Sequence, residues 1–205
     1  MSRAALLAAA HAACRSGLNH GSTGNLSVRQ GHGMLITPTA IPCDQLQEAD
    51  LVELPLEGEP PAGTRPSSEW RLHADIYRRR SDAGAVLHAH PPFSTTIACL
   101  REELPAVHYM IAMTGGDRVR CSSYALFGTA ELSAAALAAL GDSKACLLAN
   151  HGLVTIGRDL SEAFRIAEEV EVVAEYWWRA RAVGAPVILT QAEMADAIAR
   201  FSSYR

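Results

Sequence analysis

His88 and His90 stand two residues apart in Ala85-Val86-Leu87-His88-Ala89-His90, a short apolar stretch stopped by Pro91-Pro92. Read as a strand, its period of two puts both imidazoles on one face, close enough to share a divalent cation. Imidazole is a favoured ligand of zinc and related metals. Two strand histidines with no metal role fit the same spacing, so the pair by itself is weak and needs a third donor. His151 is the candidate: it sits between Asn150 and Gly152 after the apolar run Cys146-Leu147-Leu148, where glycine lets the backbone turn sharply and present the ring to a cleft. Three histidines at strand ends of one sheet make an open metal site, with a coordination position left for substrate.

Glu69, in Pro66-Ser67-Ser68-Glu69-Trp70, falls at the first turn of an expected helix. An acid there serves as cap and dipole partner. The same position can aim a carboxylate at the metal, as ligand or as base. Ser67 and Ser68 are good helix caps, and a helix start with spare hydroxyls and N–H groups is equally a phosphate site. The turn Ser22-Thr23-Gly24-Asn25 adds further donors, though by itself it is only a loop. His73, four residues after Glu69, is expected to be buried and hydrogen-bonded rather than a fourth ligand. His11, His20 and His32 lack ligand-like spacing and are expected to be structural or exposed. Tyr109, beside His108, reads as a core or interface aromatic. Glu168, Glu169, Glu171 and Glu175 read as the solvated face of a long helix; Trp177-Trp178 reads as one indole in the core and one against a neighbouring subunit.

The elements that must position these groups follow from periodicity. Leu6, Leu7, His11, Cys14 and Leu18 recur at helical spacing, which favours an amphipathic first helix over a signal peptide. Asn25–Arg29 and Met34–Thr37 read as a hairpin turned at Gly31 and Gly33, followed by a Pro/Gly-rich loop over Pro55–Pro66. A helix is expected from Ser67 to the Arg78-Arg79-Arg80 run, a strand over 85–90, and a helix over Ser94–Leu100. Strands are expected near Val107–Met113 and Val119–Cys121, then a helix over 129–140 capped by Thr129 and Gly141. Extended segments flank Asn150-His151-Gly152, and helices are expected over Leu160–Val183 and from Gln191 to about Phe201. The alternation describes a sheet with helices on its faces.

Composition narrows the chemistry further. A chain of 205 residues and 21.9 kDa, 49% apolar and 20% charged, matches one soluble globular domain spanning 1–205. Eighteen Lys+Arg against 22 Asp+Glu give a net charge of −4 and a pI near 6.0, which disfavours nucleic acid and anionic membranes as partners. The five cysteines are odd in number, widely spaced and never C-x-x-C, arguing against a disulfide framework and for a reducing compartment. No apolar segment reaches the length of about 18 residues that a membrane span needs, so a cytoplasmic protein is expected.

The segments GLNHGSTGNLSVR, MLITPTAIPCDQL, PSSEWRLH, AVLHAHPPFSTTIACL, PAVHYMIAMTGGD, FGTAEL, LLANHGLVTIG and EEVEVVAEYW together resemble, in that order, the class II aldolase/adducin family. The resemblance implies an α/β fold of three layers, α/β/α, around a central, mainly antiparallel sheet, and a homotetramer with active sites at subunit interfaces. It implies one zinc per chain, or another divalent metal, on His88, His90 and His151, with Glu69 as acid/base and as a ligand of the resting site. Phosphate would be held by Thr23, Gly24, Asn25, Thr39, Ala40, Ser67 and Ser68, and Tyr109 would come from the adjacent subunit to handle the proton of the departing aldehyde. The implied reaction is cleavage of a phosphorylated 2-ketose such as L-fuculose 1-phosphate to dihydroxyacetone phosphate and an aldehyde through an enediolate. Decarboxylases, epimerases and dehydratases of other sugar phosphates share the same site, and a non-catalytic adducin-like binding domain shares the fold. Two features depart from the pattern. Thr39-Ala40 stands where relatives have Thr-Gly, which weakens the phosphate loop if that position needs positive φ. The tail after Phe201, with Tyr204, is short, leaving closure over the substrate open.

Overall fold

The computed structural model describes residues 2–202. Its strands are β1 (Asn25–Gln30), β2 (Gly33–Ile36), β3 (Val52–Pro55), β4 (Ala85–Ala89), β5 (Leu104–Pro105), β6 (Arg118–Cys121), β7 (Ala145–Leu148) and β8 (Gly152–Gly157). Its helices are α1 (Arg3–Arg15), α2 (Trp70–Arg79), α3 (Pro92–Leu100), α4 (Ala130–Leu140), α5 (Leu160–Val183) and α6 (Gln191–Ser202). One sheet runs β3-β2-β1-β4-β8-β7-β6-β5, antiparallel throughout except for the parallel pair β6–β7. This is the expected helix-covered, mainly antiparallel sheet.

The strand period sorts side chains into two apolar layers. On one side Leu26, Val28, Leu87 and Leu153 pack with Leu6 of α1, Ile97 of α3 and Ile166, Val170 and Val173 of α5. On the other, Val86, Cys146, Leu148, Val154 and Ile156 pack with Leu72 and Ile76 of α2 and Leu132, Ala136 and Leu140 of α4. All five residues of β4 are buried, as befits a central strand. His88 shares the face of Val86, so its ring emerges on the side that α2 covers. Local chemistry sets the helix starts: Ser2 accepts from Ala5 N, Thr129 from Leu132 N and Asp159 from Glu162 N.

Several expectations are corrected. The apolar run over 107–113 reads as a strand, yet Tyr109–Thr114 is a 3-10 helix and only Leu104–Pro105 pairs as β5. The His108 side chain caps Met110 N, and Gly115 at φ 83 ends the turn, so local side-chain bonds override the extended expectation. The edge strand β3 is too short and half-polar to announce itself. Helix α2 begins at Trp70, not Ser67. Cys14 and Cys43 form a disulfide, with Cα atoms 5.9 Å apart, against the expectation of none. Their 29-residue separation carries no sign of proximity; the fold brings the loop after Ala40 against the end of α1, where Cys43 N donates to Gly21 O. Cys99, Cys121 and Cys146 are free. Among the described residues no helix is long and apolar enough to cross a membrane. The expectation about Tyr204 lies outside the described residues.

Candidate metal centre and substrate pocket

β4 ends and β8 begins side by side, and this brings the histidines together. Leu87 pairs with Thr155, His88 with Val154 and Ala89 with Leu153, so His90 follows one strand end while His151 precedes the other. Gly152 makes the approach possible: a Cβ there would strike Ala89 O and stand 2.7 Å from Cδ2 of His90. The sharp turn expected of Gly152 is made instead by Asn150, at φ 54, a conformation asparagine tolerates. The rings of His88, His90 and His151 lie 4.7–4.9 Å apart, and their nitrogens form a group that could hold a metal ion.

The tautomer of His88 suits that role. Its Nδ1 donates to Leu153 O at 3.0 Å, which leaves Nε2 to face the cluster, 2.9 Å from Nε2 of His90. Glu69 approaches from α2, with Oε2 3.1 Å from His88 Nε2 and Oε1 3.4 Å from His151 Nε2. Glu69 occupies the N-cap position of α2 but makes no side-chain cap bond, so its carboxylate is turned away from helix duty and into the site. It lies beside the three-histidine group rather than within it. Burial alone would raise the Glu69 carboxyl; the adjacent imidazoles of His88 and His151 and hydrogen bonds from His88 and Asn25 outweigh it and hold it well below the carboxylate range. Burial would lower His88, but Glu69 raises it. Burial and the neighbouring imidazoles push His90 down to about 3 and His151 to about 4. Three imidazoles beside one carboxylate therefore offer nitrogen and oxygen donors to a positive charge. That donor chemistry, and a buried Glu69 Oε1 with no hydrogen-bond partner, fit a divalent cation.

Above the cluster opens a cavity of about 310 Å³, within the size range of small-molecule sites. Its wall contains Thr23, Gly24, Asn25, Thr39, Ala40, Ser67 and Ser68, together with Glu69, His90 and His151. Residues from three distant segments meet because Ser67 N donates to Thr37 O, Thr39 N to Arg65 O, and Pro38 bridges Pro66. Gly24 is at φ +70, and a Cβ there would collide with Asn19. Ala40 is at φ 61, so this position does demand the left-handed conformation. Tyr124, Ala125 and Phe127 complete the opposite wall, with Phe127 61% exposed. Sequence reasoning did not single out Tyr124 or Ala125, which lie in an irregular stretch without a motif.

Tyr109 is not part of this pocket. It is 52% exposed at the start of the 3-10 helix, against His108 and Phe201, and lines a separate cavity with Met110, Met113 and Phe201. His73 is fully buried and hydrogen-bonded, as expected, and pushed down to about 3 by burial and the His88 charge. His11 bonds Leu46 O, and His20 and His32 are exposed. Glu171 departs from the solvated face: both its oxygens accept from α3, from Phe93 N at 2.7 Å and Ser94 N at 2.8 Å. Trp177 packs on the core; Trp178 remains 48% exposed, 5.6 Å from the Phe93 ring.

Residues 4–178 match the family described as Class II Aldolase and Adducin N-terminal domain. The chain is 49% identical over 202 residues to a 5-methylthioribulose-1-phosphate/5-deoxyribulose-1-phosphate aldolase of Rhodospirillum rubrum, covering 98% of this chain and 91% of that one. It is 44% identical over 191 residues to the L-fuculose phosphate aldolase of Escherichia coli, covering 93% and 89%. Among solved structures, an L-fuculose 1-phosphate aldolase superposes with a TM-score of 0.94 at 40% identity, covering 98% of this chain and 95% of that one. The metal-ready histidine triad, its attendant carboxylate and these likenesses converge: the chain belongs to the class II aldolase and adducin family, as an enzyme of the metal-dependent class II aldolase type.

Proposed function

We propose that the chain cleaves a ketose 1-phosphate between C3 and C4, releasing dihydroxyacetone phosphate and an aldehyde. The observation that carries this reading is the placement of Glu69, His90 and His151 at the floor of a cavity rimmed by hydroxyls and backbone amides, with His88 buried directly behind them. A zinc ion on His88, His90 and His151 would supply Lewis-acid neutralisation of the charge that builds on the ketone oxygen. Thr23, Gly24, Asn25, Thr39, Ala40, Ser67 and Ser68 would hold the phosphate with neutral donors, so a net charge of −4 is no obstacle to an anionic substrate. That grip sets the distance between phosphate and reacting bond. Glu69 Oε1, the carboxylate oxygen without a hydrogen bond, would return a proton to C3 in cleavage and remove it in condensation. Tyr109, half-exposed and outside this chain's own pocket, would manage the proton on the aldehyde oxygen in a neighbouring subunit's site of a homotetramer. The cytoplasm is the compartment proposed for it.

Two relatives' names offer different aldehyde ends. The wall of Tyr124, Ala125 and Phe127 favours a short apolar end, as in a 5-deoxy- or 5-methylthiopentulose 1-phosphate, over a hydroxylated one. The test is to incubate zinc-loaded enzyme with L-fuculose 1-phosphate, 5-deoxyribulose 1-phosphate and 5-methylthioribulose 1-phosphate, following dihydroxyacetone phosphate. Release from none of them, with carbon dioxide from 3-oxo-tetronate 4-phosphate instead, would replace the aldolase by a decarboxylase. A chain that binds no metal would be an adducin-like scaffold.

A further inference from the structure

We infer that His73 is a positioning residue: through Asn25 it locks the Glu69 carboxylate so that Oε1, and not Oε2, is free for the substrate's proton. The inference rests on the reading of Glu69 as the base. A hydrogen-bonded chain runs inward from Glu69 through groups that are all buried. Asn25 Nδ2 lies 3.0 Å from Glu69 Oε2, Asn25 Oδ1 lies 2.5 Å from His73 Nε2, His73 Nδ1 lies 2.7 Å from Ser27 Oγ, and Ser27 Oγ lies 2.8 Å from the Tyr77 hydroxyl. Asn25, Ser27 and His73 are at most 5% exposed, and Tyr77 is 2% exposed.

The polarity of the whole chain follows from its first member. An ionised carboxylate only accepts, so the Asn25 amide must turn its NH₂ to Glu69 and its oxygen to His73. His73 Nε2 then carries the hydrogen and donates. Nδ1 is left as acceptor, so the Ser27 hydroxyl donates to it, and Ser27 Oγ in turn accepts from Tyr77. Each member has one arrangement, and each is fixed at its far end by the next. Arg29 anchors the inner end: its guanidinium lies 4.8 Å from the centre of the Tyr77 ring and donates to the carbonyls of Tyr77, Arg80 and Ala83. Oε2 is thereby occupied by Asn25 and His88, while Oε1 is buried without a hydrogen bond. Were His73 unable to donate, Asn25 would lose the partner that holds its oxygen inward, and only the carboxylate it is meant to position would still orient its amide.

Two measurements test this. In ¹⁵N-histidine-labelled, zinc-loaded enzyme, the His73 signal, assigned by its loss in His73→Gln, is expected as the Nε2–H tautomer alone from pH 6 to 8.5. An Nδ1–H tautomer or a mixture overturns the inference. In kinetics, His73→Leu is expected to lower kcat by about 10- to 100-fold, the range for losing a hydrogen bond to a charged group, with KM within about threefold and zinc content unchanged. His73→Gln, which keeps an N–H near the Nε2 position, is expected to recover most of kcat. Wild-type kcat in His73→Leu, or equal loss in both variants, overturns the inference. If His73→Leu does not fold, the tautomer decides. Wild-type enzyme that cleaves no ketose 1-phosphate refutes the aldolase reading instead, and the tautomer still decides whether the chain of bonds runs as stated.

Discussion

Removing the Glu171 carboxylate is expected to destabilise the protein and loosen the metal site at once. Helix α3 starts Pro91-Pro92-Phe93-Ser94, with Pro91 at the N-cap and no side-chain cap of its own. Of the four N–H groups a helix start leaves without partners, two are absent because both prolines lack one. The other two, Phe93 N and Ser94 N, both donate to Glu171 from α5. A hydrogen bond to a charged group contributes about 1.5–3 kcal/mol. Ser94 is fully buried, so its N–H stays unsatisfied in Glu171→Ala, whereas that of the half-buried Phe93 regains water. The low end of that range for Ser94 and about half of it for Phe93 give a loss of about 2 kcal/mol. Glu171→Gln keeps one acceptor oxygen and is expected to lose about 1 kcal/mol. His90 immediately precedes Pro91, so a frayed α3 start lets that ligand wander, and zinc affinity is expected to fall about 10-fold, as for other groups that support metal ligands. Urea unfolding of metal-free protein measures the first effect and competition with a zinc indicator the second. A Glu171→Ala protein within about 0.5 kcal/mol of wild type, with unchanged zinc affinity, would refute the reasoning.

Glu69→Gln is expected to keep about one zinc per chain and lose most turnover, since the three imidazoles remain and only the base is gone; near-normal rates would remove Glu69 from the chemistry. Ala40→Gly relieves a left-handed alanine, a strain of about 1–2 kcal/mol, against about 0.5–1 kcal/mol of extra chain entropy, so net stability is expected to rise by about 0.5–1 kcal/mol in urea unfolding; a fall would mean that the methyl packs usefully. Metal-free protein is expected to lose stability as pH falls below 6.5 toward 3, because unfolded His73 takes up a proton that the folded chain, with its value near 3, refuses. The slope per such group is about 1.4 kcal/mol per pH unit, with His90 and His151 acting in the same sense. His88, raised by Glu69, acts oppositely, its contribution present in acid and lost as pH rises through its folded value. Stability that is flat or rising from pH 6.5 to 5 would contradict the burial of neutral His73.

Periodicity and turn chemistry alone located nearly every helix and the strands that carry the candidate ligands, because burial of one face imposes a repeat on the residues that make it. The residue types of the site were legible for a related reason: few side chains bind a cation or move a proton, and His88, His90, His151 and Glu69 sit where strands and a helix begin or end. What misled was chemistry without a repeat, or with the wrong one. The apolar run over 107–113 suggested a strand, but His108 and Gly115 close a 3-10 turn there. Glu171 looked like any exposed acid of a long helix, and only the crossing of α3 over α5 shows that it completes a helix start which two prolines cannot cap. Cys14 and Cys43 became partners through a loop path that no local pattern encodes. The sequence by itself determined the chemistry available, which resides in side-chain types, and the elements, which follow from local repeats. Tertiary structure alone decided the wiring: which face of β4 meets α2, that Glu69 forgoes its cap to face His88, and that Asn25 and His73 hold it there. Those depend on contacts between residues from 19 apart, for Glu69 and His88, to 44 and 48 apart, for Asn25 with Glu69 and His73, and distance through space is not a local property of sequence.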